Sequence, residues 1–269
     1  MNETRLQATI VQFIKRNTRN AVVIAERELI TFFFSPIAYV VLTIFLILCG
    51  IVFGMQTFTP GGEASLRQLF DGWMPFILLL TIPTLTMRLM ADEFRSGTIE
   101  TLMTAPLSDT QAILGKFLGT LVFYVMMLAT TLTYALIIGI YGDLDLGMLL
   151  ASYFGLLLLG STFIAVGLFF STMTKNQIIA GLSSIFFLGL FTYLATTVAR
   201  EVDVKFDFML AGKDINIDLA NIVRHASMID HYRDFVRGLV GFDHVMFFLT
   251  TTGLFLFLAV KALESRRWR

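Results

Sequence analysis

Charge is what this chain is short of. Only 15% of its 269 residues are Asp, Glu, Lys or Arg, while 56% are hydrophobic. A soluble domain carries roughly 25% charged residues, so the deficit excludes an ordinary water-soluble fold and leaves a membrane protein. The 20 basic and 20 acidic residues cancel; without a basic excess there is no electrostatic case for a nucleic-acid partner. A single cysteine, Cys49, excludes an internal disulfide. It lies inside an apolar run and reads as a small buried hydrophobe. The three histidines, His225, His231 and His244, fall in or beside one polar stretch, with no H-E-x-x-H; a surface role is expected of each, and no metal site. No G-x-x-x-x-G-K-[ST] phosphate loop is present, so any ATP used must be bound by another chain. No catalytic constellation is visible, and an enzyme is not expected.

What the chain does have is apolar runs. A helix needs about 20 apolar residues to cross roughly 30 Å of hydrocarbon. Six stretches meet that need, at about Ile37–Met55, Trp73–Met90, Phe117–Gly139, Met148–Ser171, Ile178–Val198 and Phe242–Leu263. The expected fold is an all-α polytopic membrane protein, a single transmembrane domain over residues 1–269. Ahead of the first run, residues 20–34 are too charged to span, with Glu26, Arg27 and Glu28, and too apolar, with Phe32 and its neighbours, to stay in water. A helix lying in the membrane interface is the physical solution, and Ser35-Pro36 ends it. No small-residue cleavage pattern follows the first run, so no removable signal peptide is expected.

Basic residues orient the spans. Arg5, Lys15, Arg16, Arg19 and Arg27 precede the first. Arg88, Arg95 and Lys116 flank the link after the second, Lys175 follows the fourth, and Arg266, Arg267 and Arg269 follow the sixth. Both termini are expected in the cytoplasm. Residues 199–241 carry both signs of charge and are placed outside. Within them Ile222, Ala226, Ile229, Tyr232, Val236 and Leu239 recur at helical spacing, predicting one or two short amphipathic helices. Inside the spans, Gly155, Gly160, Gly167 and Gly181 read as close-packing positions between helices. Self-sufficient secondary transport would more often show a buried carboxylate or a broken midplane helix, and neither is evident.

The most informative stretch runs from Ala91 to Asp109, A-D-E-F-R-S-G-T-I-E-T-L-M-T-A-P-L-S-D. Asp92, Glu93, Arg95 and Glu100 crowd together. Gly97 permits a tight turn; Ile99, Leu102 and Met103 offer an apolar face; Pro106 forces a stop. A plain link between two spans needs none of this, whereas a short helix that docks on a soluble partner does.

Three segments together resemble the ABC-2-type permease family, in its gliding-motility and copper-reductase-maturation branch. Glu26 to Tyr39, E-R-E-L-I-T-F-F-F-S-P-I-A-Y, resembles the approach to the first span. Glu93 to Pro106 resembles the first cytoplasmic coupling loop, and Ala262 to Arg269, A-L-E-S-R-R-W-R, resembles the tail. The resemblance implies a multi-pass permease subunit in a bacterial inner membrane. Two such subunits, identical or paralogous, would sit on two separate ATPase subunits that bind ATP and Mg; no cofactor belongs to this chain. Glu26, Arg27, Glu28 and Phe32 would lie on a connecting helix. Glu93, Arg95, Gly97, Thr98, Glu100, Leu102 and Pro106 would form the ATPase coupling site within residues 92–109. Lys175 and Asn176 would give a second cytoplasmic contact. The outer loop would resemble a gate, with room for an extracytoplasmic accessory protein, and membrane lipid would surround the rest. Export of a lipid-like or amphipathic substrate is the implied function. A mechanotransmitting or regulatory ABC assembly without cargo, and a secondary transporter or channel without an ATPase, remain the alternatives.

Overall fold

The computed structural model describes residues 19–57, 66–99, 108–141, 145–194, 205–210, 213–218 and 227–267. Helix α1 covers residues 19–33, and the chain breaks at Ser35 as expected. Helix α2, Pro36–Thr57, starts on its proline, where the missing N–H has no partner to lose. A π-helical turn, Leu69–Trp73, leads into α3, Met74–Thr86, and after a turn comes the six-residue α4, Ala91–Ser96. Then follow α5, Asp109–Thr130; α6, Leu132–Tyr141; α7, Leu146–Met173; and α8, Gln177–Gly189, which runs on into a second π-helical turn, Leu190–Leu194. Strands β1, Lys205–Leu210, and β2, Lys213–Asp218, pair antiparallel, and α9, Met228–Val236, and α10, Phe242–Arg267, complete the described chain.

Among the described residues, five helical stretches are long and apolar enough to cross a membrane: Pro36–Met55, Leu69–Ser96, Asp109–Ile140, Leu146–Met173 and Phe242–Arg266. They coincide with the first, second, third, fourth and sixth expected spans, and the chain is a multi-pass membrane protein. The expected fifth span corresponds to a shorter apolar helix, Gln177–Tyr193. At 1.5 Å per residue it is about 26 Å long, a little less than the hydrocarbon thickness. The end of that expected span, beyond residue 194, lies outside the described residues.

Two boundaries differ from the hydropathy reading. The third run starts at Asp109 and not near Phe117, because Ser108 and Gln111 form a capping box. The Gln111 N–H donates to Ser108 Oγ at 3.3 Å, and the Ser108 N–H donates to Gln111 Oε1 at 3.2 Å. Two orphan donors are thereby satisfied, and the polar start of α5 becomes helical. The same run is then divided at Thr131. Thr130 donates to the Met127 carbonyl at 2.6 Å and Thr131 to that of Leu128 at 2.7 Å. Such side chains compete with the backbone ladder.

Helix α7 is the centre of the bundle, packed against α3, α5, α8, α9 and α10. Its glycines do what small residues in membrane helices were expected to do. A Cβ on Gly155 would stand 2.6 Å from Phe235 Cβ; the Tyr124 ring lies over Gly160, and Thr86 against Gly167. Tyr124 also donates to the Leu156 carbonyl at 2.7 Å. Thr162 and Thr252 share a hydrogen bond at 2.9 Å between α7 and α10. Cys49 is buried, its Sγ 3.9 Å from Met74 Sδ.

One of the amphipathic helices expected within residues 199–241 is present as α9, which buries Met228, Ile229, Tyr232, Phe235 and Val236. Leu239 is exposed beyond it, and Ile222 and Ala226 lie outside the described residues. The β1–β2 hairpin, with Lys205 opposite Asp218 and Leu210 opposite Lys213, is an addition to the all-α expectation. The alternation in K-F-D-F-M-L and D-I-N-I-D is the period-two signal of a strand.

Candidate functional site

At one end of the bundle α1 lies across α5 at unusually close range. A Cβ on Gly115 would fall 2.6 Å from Ile24 Cβ, and one on Gly119 would fall 2.7 Å from the Ala25 carbonyl oxygen. The pair is a G-x-x-x-G spacing, the pattern that lets two helix backbones approach. Between the glycines stands Lys116, whose side chain is only 3% exposed. Its Nζ lies 3.1 Å from Glu28 Oε2 on α1 and 2.8 Å from Glu93 Oε1 on α4. The carboxylates are themselves mostly covered, at 15% and 14% exposure. One ammonium therefore joins three elements. Arg88 adds a second cation: its guanidinium stands 5.1 Å over the Phe32 ring, bonds Ser35 Oγ and feels the charges of Glu28 and Asp92. Phe32 is buried and stacks on Phe123 with centroids 5.0 Å apart.

Helix α4 is held from the other sides as well. Ser171 on α7 accepts from the N–H groups of Met90 at 3.0 Å and Ala91 at 3.1 Å, and donates to the Met87 carbonyl at 3.0 Å. A hydroxyl has one proton and two lone pairs, so Ser171 is fully used. In an unbroken helix those two N–H groups would donate to residues 86 and 87. Ser171 takes them instead, and the chain turns between α3 and α4. Gln177, at the start of α8, donates to Asp92. Arg266 on α10 lies 4.4 Å over the Phe94 ring and donates to the Met173 carbonyl. Gly97 closes α4 in the left-handed region, φ 76°, where a glycine costs least.

The sequence-derived residues divide accordingly. Glu28, Phe32 and Glu93 turn inward and hold the joint. Glu26 and Arg27 are exposed on α1, and Arg95, Ser96, Gly97 and Thr98 are exposed on and after α4. Lys175 is exposed; Asn176 is exposed too, but its side chain is engaged in capping α8, accepting from the Ile178 N–H at 2.9 Å. Glu100, Leu102 and Pro106 lie outside the described residues. Lys116, Gly115, Gly119, Ser171 and Arg266 were not singled out as joint residues by sequence. The G-x-x-x-G spacing was the one available signal.

The opposite end is built around α9. Tyr232 is fully buried and donates to the Phe70 carbonyl, in the first π-helical turn, at 3.1 Å. Burial holds its phenol well above the usual tyrosine range. Arg233 Nε lies 3.3 Å from Asp71 Oδ1, so Asp71 is an ion-pair partner here. His231 and His244, expected at the surface, are half-buried and bonded to each other, Nδ1 to Nδ1 at 2.7 Å. They come from different helices, and their chain spacing hides the contact. His225 lies outside the described residues. No cluster of three or more His, Cys, Asp or Glu placed to hold a metal occurs among the described residues.

Residues 55–203 match the family described as ABC-2 family transporter protein. The match takes in the second to fourth spans, α4 and most of the joint. No curated protein matches the chain at a meaningful level.

Proposed function

The chain belongs to the ABC-2 family of transporter proteins, and on that premise we propose that it is the permease subunit of an ATP-driven exporter of a lipid-like or amphipathic substrate. Two such subunits pair in the bacterial inner membrane, each engaging a separate ATPase chain that supplies ATP and Mg chemistry. The α4 end faces the cytoplasm, and the α9 end faces away from it. The observation that carries the reading is the way α4 is held. It is tied to α1 and α5 through Lys116, to α7 through Ser171, to α8 through Gln177 and to α10 through Arg266. A short helix fixed to that many spans transmits a push to all of them. Its exposed side carries Arg95, Ser96 and Thr98, and Glu100, Leu102 and Pro106 follow in the sequence. That continuous stretch is the docking surface for the ATPase, and Lys175 adds a second contact nearby. Glu93 acts behind the surface and fixes the position of α4. Nucleotide-driven closure of the ATPase pair moves α4, and the joint converts the movement into a change of the bundle.

The experiment is purification of the tagged full chain from its native host in mild detergent, comparing wild type with Arg95→Glu. A Walker-motif ATPase in equal amount with wild type, and reduced with the variant, supports the reading. A chain that purifies alone, under conditions that preserve other ABC complexes, overturns it in favour of a transporter or channel without an ATPase.

A further inference from the structure

At the α9 end the chain enters α3 through the π-helical turn Leu69–Trp73. Such turns are rare, carry one extra residue per hydrogen bond, and gather at functional sites. Here the Met74 N–H donates to the Leu69 carbonyl, five residues back. The residue five on from Phe70 is Pro75, near the start of α3, and proline has no N–H to give. The π pattern therefore supplies no backbone donor to the Phe70 carbonyl. Tyr232 of α9 supplies one in its place, its hydroxyl donating at 3.1 Å. We propose that residues 66–73 form a two-register switch, π-helical while α9 is docked on them and α-helical once α9 has left.

The two registers differ by a simple exchange of hydrogen bonds. In the α register the Met74 N–H moves from the Leu69 carbonyl to that of Phe70, four residues back. The Trp73 N–H passes to the Leu69 carbonyl, and the Phe70 carbonyl no longer needs Tyr232. Pro75 now stands in the donor position for Asp71, so the carbonyl left without a backbone donor is that of Asp71. The proline thus leaves one carbonyl over in either register. In the π register that carbonyl is covered, since Phe70 is 1% exposed, and the fully buried Tyr232 satisfies it. In the α register it belongs to Asp71, which is exposed and bonds water. Neither register strands a buried acceptor, and two satisfied arrangements of one segment are what a bistable element requires.

The exchange also moves side chains. Helix α3 is packed against α7 and α8 and keeps its facing. A shift of register by one residue turns the positions ahead of it by about 100° about the helix axis. Asp71 turns away from Arg233, whose Nε now lies 3.3 Å from its carboxylate. Phe70 turns off the Tyr153 ring of α7, which it meets edge-on with centroids 5.3 Å apart. The Tyr232 bond and the Arg233 pair therefore form together and break together. Docked α9 selects the π register, and the π register in turn presents both partners to α9; the coupling is reciprocal. The other ties of α9, Phe235 against Gly155 of α7 and His231 to His244 of α10, touch neither Phe70 nor Asp71. Under the transport reading above, the docked register is the closed state of the end remote from α4. That assignment rests on the transport reading, whereas the switch rests on these bonds alone.

Gly72 provides the test. It is exposed, and a Cβ on it would meet nothing within 4 Å, so its removal costs little packing. Deleting it places Leu69 four residues before Met74 and Phe70 four before Pro75. Ordinary α spacing then keeps Phe70 and Asp71 facing as they do now, and the second register is gone. The full chain in nanodiscs carries Asp71→Cys with Arg233→Cys, and the rate of bridging by dibromobimane reports how often the two thiols meet. Cys49 is buried and does not compete. Tyr232→Phe keeps the ring but removes the donor to the Phe70 carbonyl, and should slow bridging about tenfold in the chain of natural length. With Gly72 deleted that tenfold difference should vanish, since no second register is open to the segment. An equal effect of Tyr232→Phe in both lengths means that the tyrosine only packs, and overturns the proposal. No effect in the chain of natural length overturns it too. If Tyr232→Phe does not fold, the deletion decides the matter alone: bridging should be at least as fast as in the chain of natural length. A deletion that fails to fold, or that loses the bridge, shows that the turn holds no surplus residue and overturns the proposal. The measurement needs neither ATPase nor cargo, so its failure leaves the transport reading standing.

Discussion

At the α4 end a buried ammonium sits between two carboxylates, while at the α9 end the buried polar groups are phenols and imidazoles. Lys116 lies against both Glu28 and Glu93 in a covered site, so the three must stay together or strand a buried charge without its partner. The second set is joined by single hydrogen bonds, His231 to His244 and Tyr232 to the Phe70 carbonyl, so its contacts can be exchanged at lower cost. The contrast teaches where rigidity is needed. The end that carries the exposed α4 surface is locked by charge, and the end built on α9 is held by bonds that can be remade.

Substitutions can break or sharpen this contrast. The largest effect is expected for Lys116→Met. Removing one partner from a buried ion-pair network costs about 3–5 kcal/mol, and thermal unfolding in detergent should show a large drop. Combining it with Glu28→Gln and Glu93→Gln should restore much of the loss, because the stranded charges go too. A triple variant no better than Lys116→Met would mean that the charges are not what matters. Next is Gly119→Leu, which forces side-chain volume into the Ala25 and Glu28 contact. Overpacking of this kind costs about 1–3 kcal/mol, and α1 should become protease-sensitive while the rest of the bundle stays protected. Ser171→Ala leaves the Met90 and Ala91 N–H groups without their acceptor, at about 1–3 kcal/mol. Its sharper signature is faster hydrogen exchange at those two amides, as the turn before α4 loosens. The smallest effect is expected at the other end. Arg233→Gln removes a partly exposed pair with Asp71, worth about 0.2–1 kcal/mol, and the difference from wild type should shrink at high salt.

The apolar runs were legible because a spanning helix announces itself by length and hydropathy. The break at Ser35-Pro36 and the apolar face of α9 followed from residue chemistry at known spacing. The joint was harder to read. A lysine near the end of a span usually reads as snorkelling to the surface, and the Gly115–Gly119 spacing around Lys116 points to close helix packing without naming α1 as the helix that overlies it. Glu93 was assigned to an outward docking face because charge in a link suggests a partner; its partner within the chain lies on α5, across a fold that composition does not encode. The start of α5 was set too late because a hydropathy window cannot see the Ser108–Gln111 capping box. Ser171 and the His231–His244 contact depend on tertiary neighbours alone.

The position of Arg266 bears on how the protein is made. Phe94 and the Met173 carbonyl are both synthesised well before the arginine that covers one and bonds the other. At roughly 5–20 residues per second, that arginine follows Phe94 by on the order of ten seconds or more. During that interval α4 can be seated by Lys116 and Ser171, yet its aromatic face stays open. The surroundings of α4 are thus completed only when the last helix has been made, and a chain stalled before α10 would leave the Phe94 ring without its arginine and the Met173 carbonyl without that donor.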